Sequence, residues 1–351
     1  MIKQLTESLP LFVAGAIGAA LAALIGLPMP FMLGALAGSA TAVAMIERQP
    51  QRRAGRPPAK LRIIFVAMIG VMIGAGFHPG LLAVLPAFWP SVLAVVPFIM
   101  LAHVGGYLIM HHLGGFRPVD ALFASMPGGL IESSILGEKA GADVQVLAIQ
   151  HFIRIILVVT LVPLLFWLFT GELVGSAAGA SLARGGYDIW DVGLIVLLAP
   201  VGNWLGKTGR LPAAHLMGPL FFTAALQVSG LIDLTAPTWL LRVAQLVVGV
   251  GLGAQFSGLS RAALLRGLAS GIGAVSFMLL LSFAFAAVLS RVVPGQIEAM
   301  FLSFAPGGVT EMNLIALSLN LSPVIVAVHH LVRILASIVV ANAIGRWKSL
   351  Y

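Results

Sequence analysis

Residues 127–132 read PGGLIE and residues 151–154 read HFIR; residues 306–311 read PGGVTE and residues 330–333 read HLVR. Pro127, Gly128, Gly129, Glu132, His151 and Arg154 thus return as Pro306, Gly307, Gly308, Glu311, His330 and Arg333, each 179 positions further on and with no insertion between them. Six matches in one register over a 28-residue window are not a chance event. They mark the chain as two copies of one element, and the rest of the sequence is read outward from them.

The surroundings of these residues are apolar. Hydrophobic residues make up 60% of the 351, charged residues only 9%, and the mean hydropathy is +1.05, far from the usage of a soluble domain. The expected class is an all-α integral membrane protein. Apolar stretches of about 16 to 27 residues suit helices crossing a hydrocarbon layer roughly 30 Å thick. No stretch is left for a soluble kinase, sensor or DNA-binding module, so function must reside in the helices and their short loops. The net charge of +8 does not point to nucleic acid, because six of the twenty basic residues (Arg48, Arg52, Arg53, Arg56, Lys60, Arg62) crowd one loop, as the positive-inside rule produces. Without cysteine there is no disulfide, thiolate metal site or iron–sulfur cluster. The first apolar segment, about 9–26, reads as a retained helix rather than a cleaved signal, since its counterpart in the second copy lies inside the chain.

Further apolar segments follow at about 31–46, 61–77, 90–112 and 143–169, broken by proline, glycine and charge. Region 118–141 differs: it is too short for two crossings and is interrupted by Pro127-Gly128-Gly129. The second copy repeats the plan, Leu211-Pro212 echoing Leu27-Pro28 and Gly253-Ala254 echoing Gly74-Ala75. The expected organisation is a first membrane repeat over 1–170, a Gly- and Ala-rich linker over 171–188 and a second repeat over 189–351, each with about five transmembrane helices and a broken or re-entrant Pro-Gly-Gly hairpin. If 118–141 and 297–320 return to the side they entered from, each copy crosses an odd number of times and the second is inverted. With the N-terminus inside, that arrangement places Lys207, Arg210, Arg261, Arg266, Arg346 and Lys348 in the cytoplasm, and a parallel arrangement does not.

The repeated residues sit where charge is costly, and an ionisable residue within a membrane is a functional-site hypothesis by default. Proline ends a helix and glycine permits the turn, so helix resumes after Gly129 and Gly308 with unpaired backbone N–H groups, which attract anions. In transporters with inverted repeats, two such broken elements meet near the midplane. Glu132 and Glu311 fall on the first turn of the second half-helix, either satisfying helix-start N–H groups, pairing with arginine, or carrying a proton or cation. His151 with Arg154, and His330 with Arg333, share a helix face at i, i+3 spacing; each arginine needs a carboxylate, backbone carbonyls or an anionic substrate. Thr310 and Asn313 are polar and suited to lining a cavity. Gly70 with Gly74 and Gly249 with Gly253 suit close helix packing.

This pattern, Pro-Gly-Gly-x-x-Glu with His-x-x-Arg written twice, resembles the AbrB-duplication family of bacterial membrane proteins, often labelled ammonia monooxygenase or AbrB-family regulator; a soluble DNA-binding transition-state regulator of the same name is unrelated. The resemblance implies a fold similar to the cation–proton antiporter and bile-acid symporter class, and carries over no binding residues.

Three functions compete. A secondary transporter of a small polar or anionic solute, coupled to a proton or cation, would use Pro127, Gly128, Gly129, Glu132, His151, Arg154, Pro306, Gly307, Gly308, Thr310, Glu311, Asn313, His330 and Arg333. A membrane regulator of gene expression would dock partners on the 47–62 loop. A copper monooxygenase would need clustered histidines, and the eight here are scattered. The transporter is the favoured expectation: multi-pass in the bacterial inner membrane, N-terminus cytoplasmic, with no catalytic residues, metal, cofactor or nucleic-acid partner, lipid around it and homo-oligomerisation left open.

Overall fold

Proline places several helix starts. In the computed structural model three helices begin at Pro30, Pro118 and Pro323, where the missing N–H costs no hydrogen bond and the fixed φ suits the first turn. The described residues are all of the chain except 1, 50, 78–79, 81–82, 84, 129, 172–186, 212, 260, 295, 320 and 348–351. Among them are fourteen α-helices: α1 (Ile2–Leu24), α2 (Pro30–Ile46), α3 (Ala59–Gly74), α4 (Trp89–Leu108), α5 (Pro118–Ala124), α6 (Leu130–Lys139), α7 (Val144–Thr170), α8 (Ile189–Thr208), α9 (Ala214–Val228), α10 (Thr238–Ala254), α11 (Arg261–Leu289), α12 (Ile297–Phe304), α13 (Val309–Ser318) and α14 (Pro323–Trp347). The starts of α10, α12, α13 and α14 fall 179 residues after those of α3, α5, α6 and α7. Most of the expected linker, residues 172–186, lies outside the described residues.

Among the described residues, five helices are long and apolar enough to cross a membrane: Lys3–Leu24, Pro86–Leu113, Val144–Phe169, Ile189–Thr208 and Ala262–Leu289. Shorter apolar helices cover Pro30–Ile46, Ala214–Val228, Thr238–Ala254 and Pro323–Ser337. At 1.5 Å per residue a 17-residue helix such as α2 spans about 25 Å, so five crossings per copy would require these shorter helices to cross as well. On α1 the exposed large residues Leu9, Val13, Ile17, Leu21 and Leu24 form one stripe at helical spacing, an arrangement suited to lipid and unfavourable in water.

The chain divides into two compact units that do not follow the two halves of the sequence. Unit 1 comprises residues 1–82, 160–258 and 313–324; unit 2 comprises 83–159, 259–312 and 325–351.

In unit 1 the small residues work as expected. A Cβ on Gly70 of α3 would collide with the Leu216 carbonyl of α9, and one on Gly249 of α10 with the Met32 carbonyl of α2. Bare glycine lets each helix pair approach to backbone contact. The exchange is reciprocal: each half's third long helix packs on the other half's second. The residues entering α2 and α9, Met29 and Ala213, hold φ of 47° and 48°, a left-handed turn that an L side chain adopts only under tertiary constraint.

In unit 2, α4 packs on α11 and α7 packs on α11 through Gly271, whose Cβ would lie 2.6 Å from Ile153 Cγ2. The hairpin α5–α6 is closed at its base. Asp120, 3% exposed, accepts from Arg117 Nε at 2.7 Å and Nη2 at 2.9 Å, and its Oδ1 also accepts from the backbone N–H of Asp143 at 2.8 Å. The residue just before α7 therefore meets the first turn of α5, and the hairpin returns to where it began.

Candidate functional site

Unit 2 contains both Pro-Gly-Gly breaks, both arginines, both histidines and Glu311; Asn313 falls in unit 1. Gly129 and the side chain of Glu132 lie outside the described residues.

Each break follows a short helix, of seven residues in α5 and eight in α12. A helix end leaves its last carbonyls unpaired, and buried carbonyls must find donors. Arg154 of α7 donates through Nη1 to the carbonyl of Met126, and Arg333 of α14 donates through Nη1 to the carbonyl of Ala305. These carbonyls immediately precede Pro127 and Pro306. Arg333 Nη2 also donates to Gly307 O at 2.6 Å. One turn before Met126, His103 Nε2 donates to Leu122 O at 2.7 Å; beside Ala305, the carbonyl of Phe304 lies 3.1 Å from Ser282 Oγ, whose shorter contact is to Met278 O of its own helix at 2.7 Å. Each break is thus clasped from two sides by polar side chains of longer helices, with the cationic clasp at the negative end of the half-helix dipole. Of the three partners an arginine here needs to choose among, the described contacts of both are carbonyls. The ion pairs among the described residues are Arg53–Glu47 and Arg117–Asp120, and neither involves these arginines.

After the second break, Gly308 O accepts the first helical bond of α13 from Met312 N at 2.9 Å, which makes Gly308 the N-cap and Glu311 the third helical residue. Glu311 is 3% exposed, and its carboxylate folds back over Gly308, where a Cβ would strike Oε2. That is the placement of the acid in a capping box. Thr310 is half-buried and Asn313 buried.

The two breaks meet through Arg333. A Cβ on Gly128 of the first break would stand 3.1 Å from Ser337 Oγ and 3.7 Å from Arg333 Cγ, both on α14. Gly128, Arg333, Ala305 and Gly307 thereby form one continuous contact from the first interruption to the second.

The histidines differ. His151 Nε2 pairs with Ser133 Oγ at 2.7 Å, whereas His330 Nδ1 donates to its own helix at Val326 O, 2.9 Å away. The position matching Ser133 in the second copy is Met312, which has no hydroxyl to offer. The neighbouring residues serve as struts: Gln150 Nε2 donates to Gly267 O at 3.3 Å, and His329 Nε2 pairs with Ser91 Oγ at 2.9 Å, a hydroxyl that also lies 2.8 Å from Phe88 O. Phe88 and Gly267 are again 179 residues apart.

Buried side-chain atoms without a hydrogen-bond partner among the described residues include His151 Nδ1, Arg154 Nε, His330 Nε2, Arg333 Nε and Ser337 Oγ. Native interiors leave few such atoms, and each calls for an explanation. Because His330 Nδ1 carries the proton it donates to Val326 O, neutral His330 presents Nε2 as an acceptor. The buried atoms left without a partner among the described residues thus include donors on both guanidinium groups and an imidazole acceptor.

Ser91 has an identical counterpart 179 residues on, Ser270, whose Oγ donates to Gly267 O as Ser91 Oγ lies against Phe88 O, whereas His103, Ser282 and Ser337 have no identical counterpart in the other copy. His103 and Ser282 occupy matching positions with different residues; the signal they share is polarity at one register in an apolar helix.

Comparison with known proteins points to one family. The family described as "Transition state regulatory protein AbrB" matches residues 36–349, a span that contains both motif sets. A protein of Escherichia coli (strain K12) named "Putative regulator AbrB" is 26% identical over 294 residues, covering 81% of this chain and 82% of its own. "Uncharacterized protein YhjN" of Bacillus subtilis (strain 168) is 25% identical over 292 residues, covering 76% of this chain and 73% of its own.

Proposed function

The chain belongs to the AbrB family, and from that premise we propose that it is a secondary transporter of a small polar or anionic solute, whose site lies between the two broken helices. The observation that carries this reading is the pair of clasped interruptions in unit 2, each with a buried arginine on the carbonyl before its proline. Irregular backbone at membrane depth persists only where protein buries it or a cavity borders it. The Nε groups of Arg154 and Arg333, which have no hydrogen-bond partner among the described residues, are donors at that place, and Glu311 is the carboxylate assigned to a coupling proton or cation.

The chain comprises two homologous repeats, 1–170 and 189–351, of inverted orientation. The hydrogen bond from Asp143 to Asp120 supports the inversion, because a hairpin that returns to its entry side leaves five crossings per repeat. The distribution of Lys and Arg supports a cytoplasmic N-terminus in a bacterial inner membrane. Uptake into proteoliposomes over a panel of small carboxylates and other polar metabolites tests the reading: wild type accumulates at least one solute above empty vesicles and Glu311→Gln does not. Failure of wild type across the panel would sink it.

A second reading draws on the name of the Escherichia coli relative: a membrane regulator that acts through partners on the 47–62 loop. Deleting 48–56 would abolish its effect on transcript levels and leave solute uptake intact.

A further inference from the structure

Far along the sequence from the breaks, unit 1 holds a cavity of about 680 Å³ lined by Glu7, Arg53, Arg56, Ser257 and Gly258 and by residues 54–55 between the arginines. It sits where α1 and α3 begin and α2 and α10 end. Apolar helices end where hydrocarbon gives way to headgroups, so the cavity opens at the depth of lipid phosphates.

The loop from α2 to α3 is built to present its arginines there. Over 47–62 it carries six basic residues and one acid, Glu47. The Glu47 carboxylate accepts from Ser257 Oγ at 2.7 Å, Gly258 N at 3.1 Å and Ala54 N at 3.2 Å, and pairs with Arg53 Nη1 at 3.6 Å. These contacts tie the loop to the turn after α10. Arg56 Nη2 donates to Ser257 O at 3.3 Å, which engages one of the five guanidinium donors. Gly55 seats the loop on α1, because any Cβ there would collide with the Glu7 carbonyl. Arg53 is paired with Glu47, so the cationic donors left to the lining are those of Arg56, beside the acid Glu7, which suits one phosphodiester group rather than a polyanion.

We propose that this cavity binds the phosphate group of an anionic phospholipid and so anchors the 47–62 loop to the membrane surface. Basic clusters at helix ends attract anionic lipid through charge alone; here the walls add a fixed seat.

The full chain is reconstituted in phosphatidylcholine nanodiscs with and without phosphatidylglycerol, and separately in phosphatidylcholine with inorganic phosphate. Unfolding midpoints and lipids retained in native mass spectrometry are recorded for wild type, Arg53→Ala/Arg56→Ala and Arg48→Ala/Arg52→Ala. All four arginines are exposed, so both double variants fold, and both remove the same charge. Phosphatidylglycerol raises the midpoint of wild type and of Arg48→Ala/Arg52→Ala and is retained by both, whereas Arg53→Ala/Arg56→Ala loses the shift and the lipid. Equal loss in both double variants, or no shift in wild type, overturns the site. An equal shift from inorganic phosphate assigns the cavity to soluble phosphate and overturns the lipid anchor.

Discussion

Arg333 reaches the carbonyls of both Ala305 and Gly307, on either side of Pro306, so a single cation holds the two ends of the second interruption together. Arg154 holds the carbonyl of Met126 alone among the described contacts. The second break is therefore the more heavily dependent on its arginine.

Arg333→Ala strands two buried carbonyls and Arg154→Ala one, at about 1–3 kcal/mol for each unpaired group. Thermal unfolding in detergent will rank Arg333→Ala as the less stable. Lysine keeps the charge but lacks the planar fork, so Arg333→Lys loses more stability than Arg154→Lys. Equal midpoints for the two alanine variants would contradict the double clasp.

Gly308→Ala places a methyl where the Glu311 carboxylate lies and is expected to cost about 1–3 kcal/mol as overpacking. In a Glu311→Ala background the same change meets open space and costs much less. A thermodynamic cycle will show coupling of about 0.5–3 kcal/mol; additivity would mean that the carboxylate does not lie over the glycine.

Asp120→Ala removes the acceptor that joins the base of the hairpin and is expected to cost about 1–3 kcal/mol. Amide exchange will rise at Asp143 and along α5 while α1 and α2 remain protected. Unchanged exchange at Asp143 would show that the hairpin base is held by other contacts.

Glu47 gives a dependence on acidity. Burial opposes its charge, yet the hydrogen bonds from Ser257, Gly258 and Ala54 and the nearby Arg53 outweigh that and hold its pKa below the usual carboxylate range. A carboxylate lowered on folding contributes stability that is full above its unfolded pKa of about 4.5 and is lost as pH falls through the folded value. The unfolding midpoint of wild type will therefore fall below that of neutral pH as the solution is acidified past pH 4.5, and Glu47→Gln, less stable at neutral pH, will show a smaller fall. Parallel pH profiles would remove Glu47 from the loop's anchorage.

The all-helical, apolar character and many helix boundaries are legible in the sequence for physical reasons that particular residues make plain. Proline and glycine interrupt apolar runs at Pro30, Pro118 and Pro127, and the helices begin or stop there. Gly70 and Gly249 announce close packing because a small residue amid large apolar ones has little other use. The partners of charge were harder to read. Composition says that Arg333 needs an anion or carbonyls, but which one depends on the last carbonyls of a helix 28 positions earlier in sequence. Nor does a linear pattern reveal that His330 turns to its own helix, since that follows from Met312 standing where the first copy has Ser133.

The absence of native cysteine allows the meeting of the two interruptions to be tested on a clean background. Gly128→Cys/Ser337→Cys places thiols across the contact where a Cβ on Gly128 would stand 3.1 Å from Ser337 Oγ, within disulfide reach. Solute uptake by proteoliposomes is measured after oxidation and again after reduction, with each single variant as control. The prediction is that the cross-link forms, uptake stops and reduction restores it, as expected if the first break and α14 move against each other around the solute. A cross-linked protein that transports as fast as the reduced one, or thiols that never join, would contradict a shared site at the two breaks.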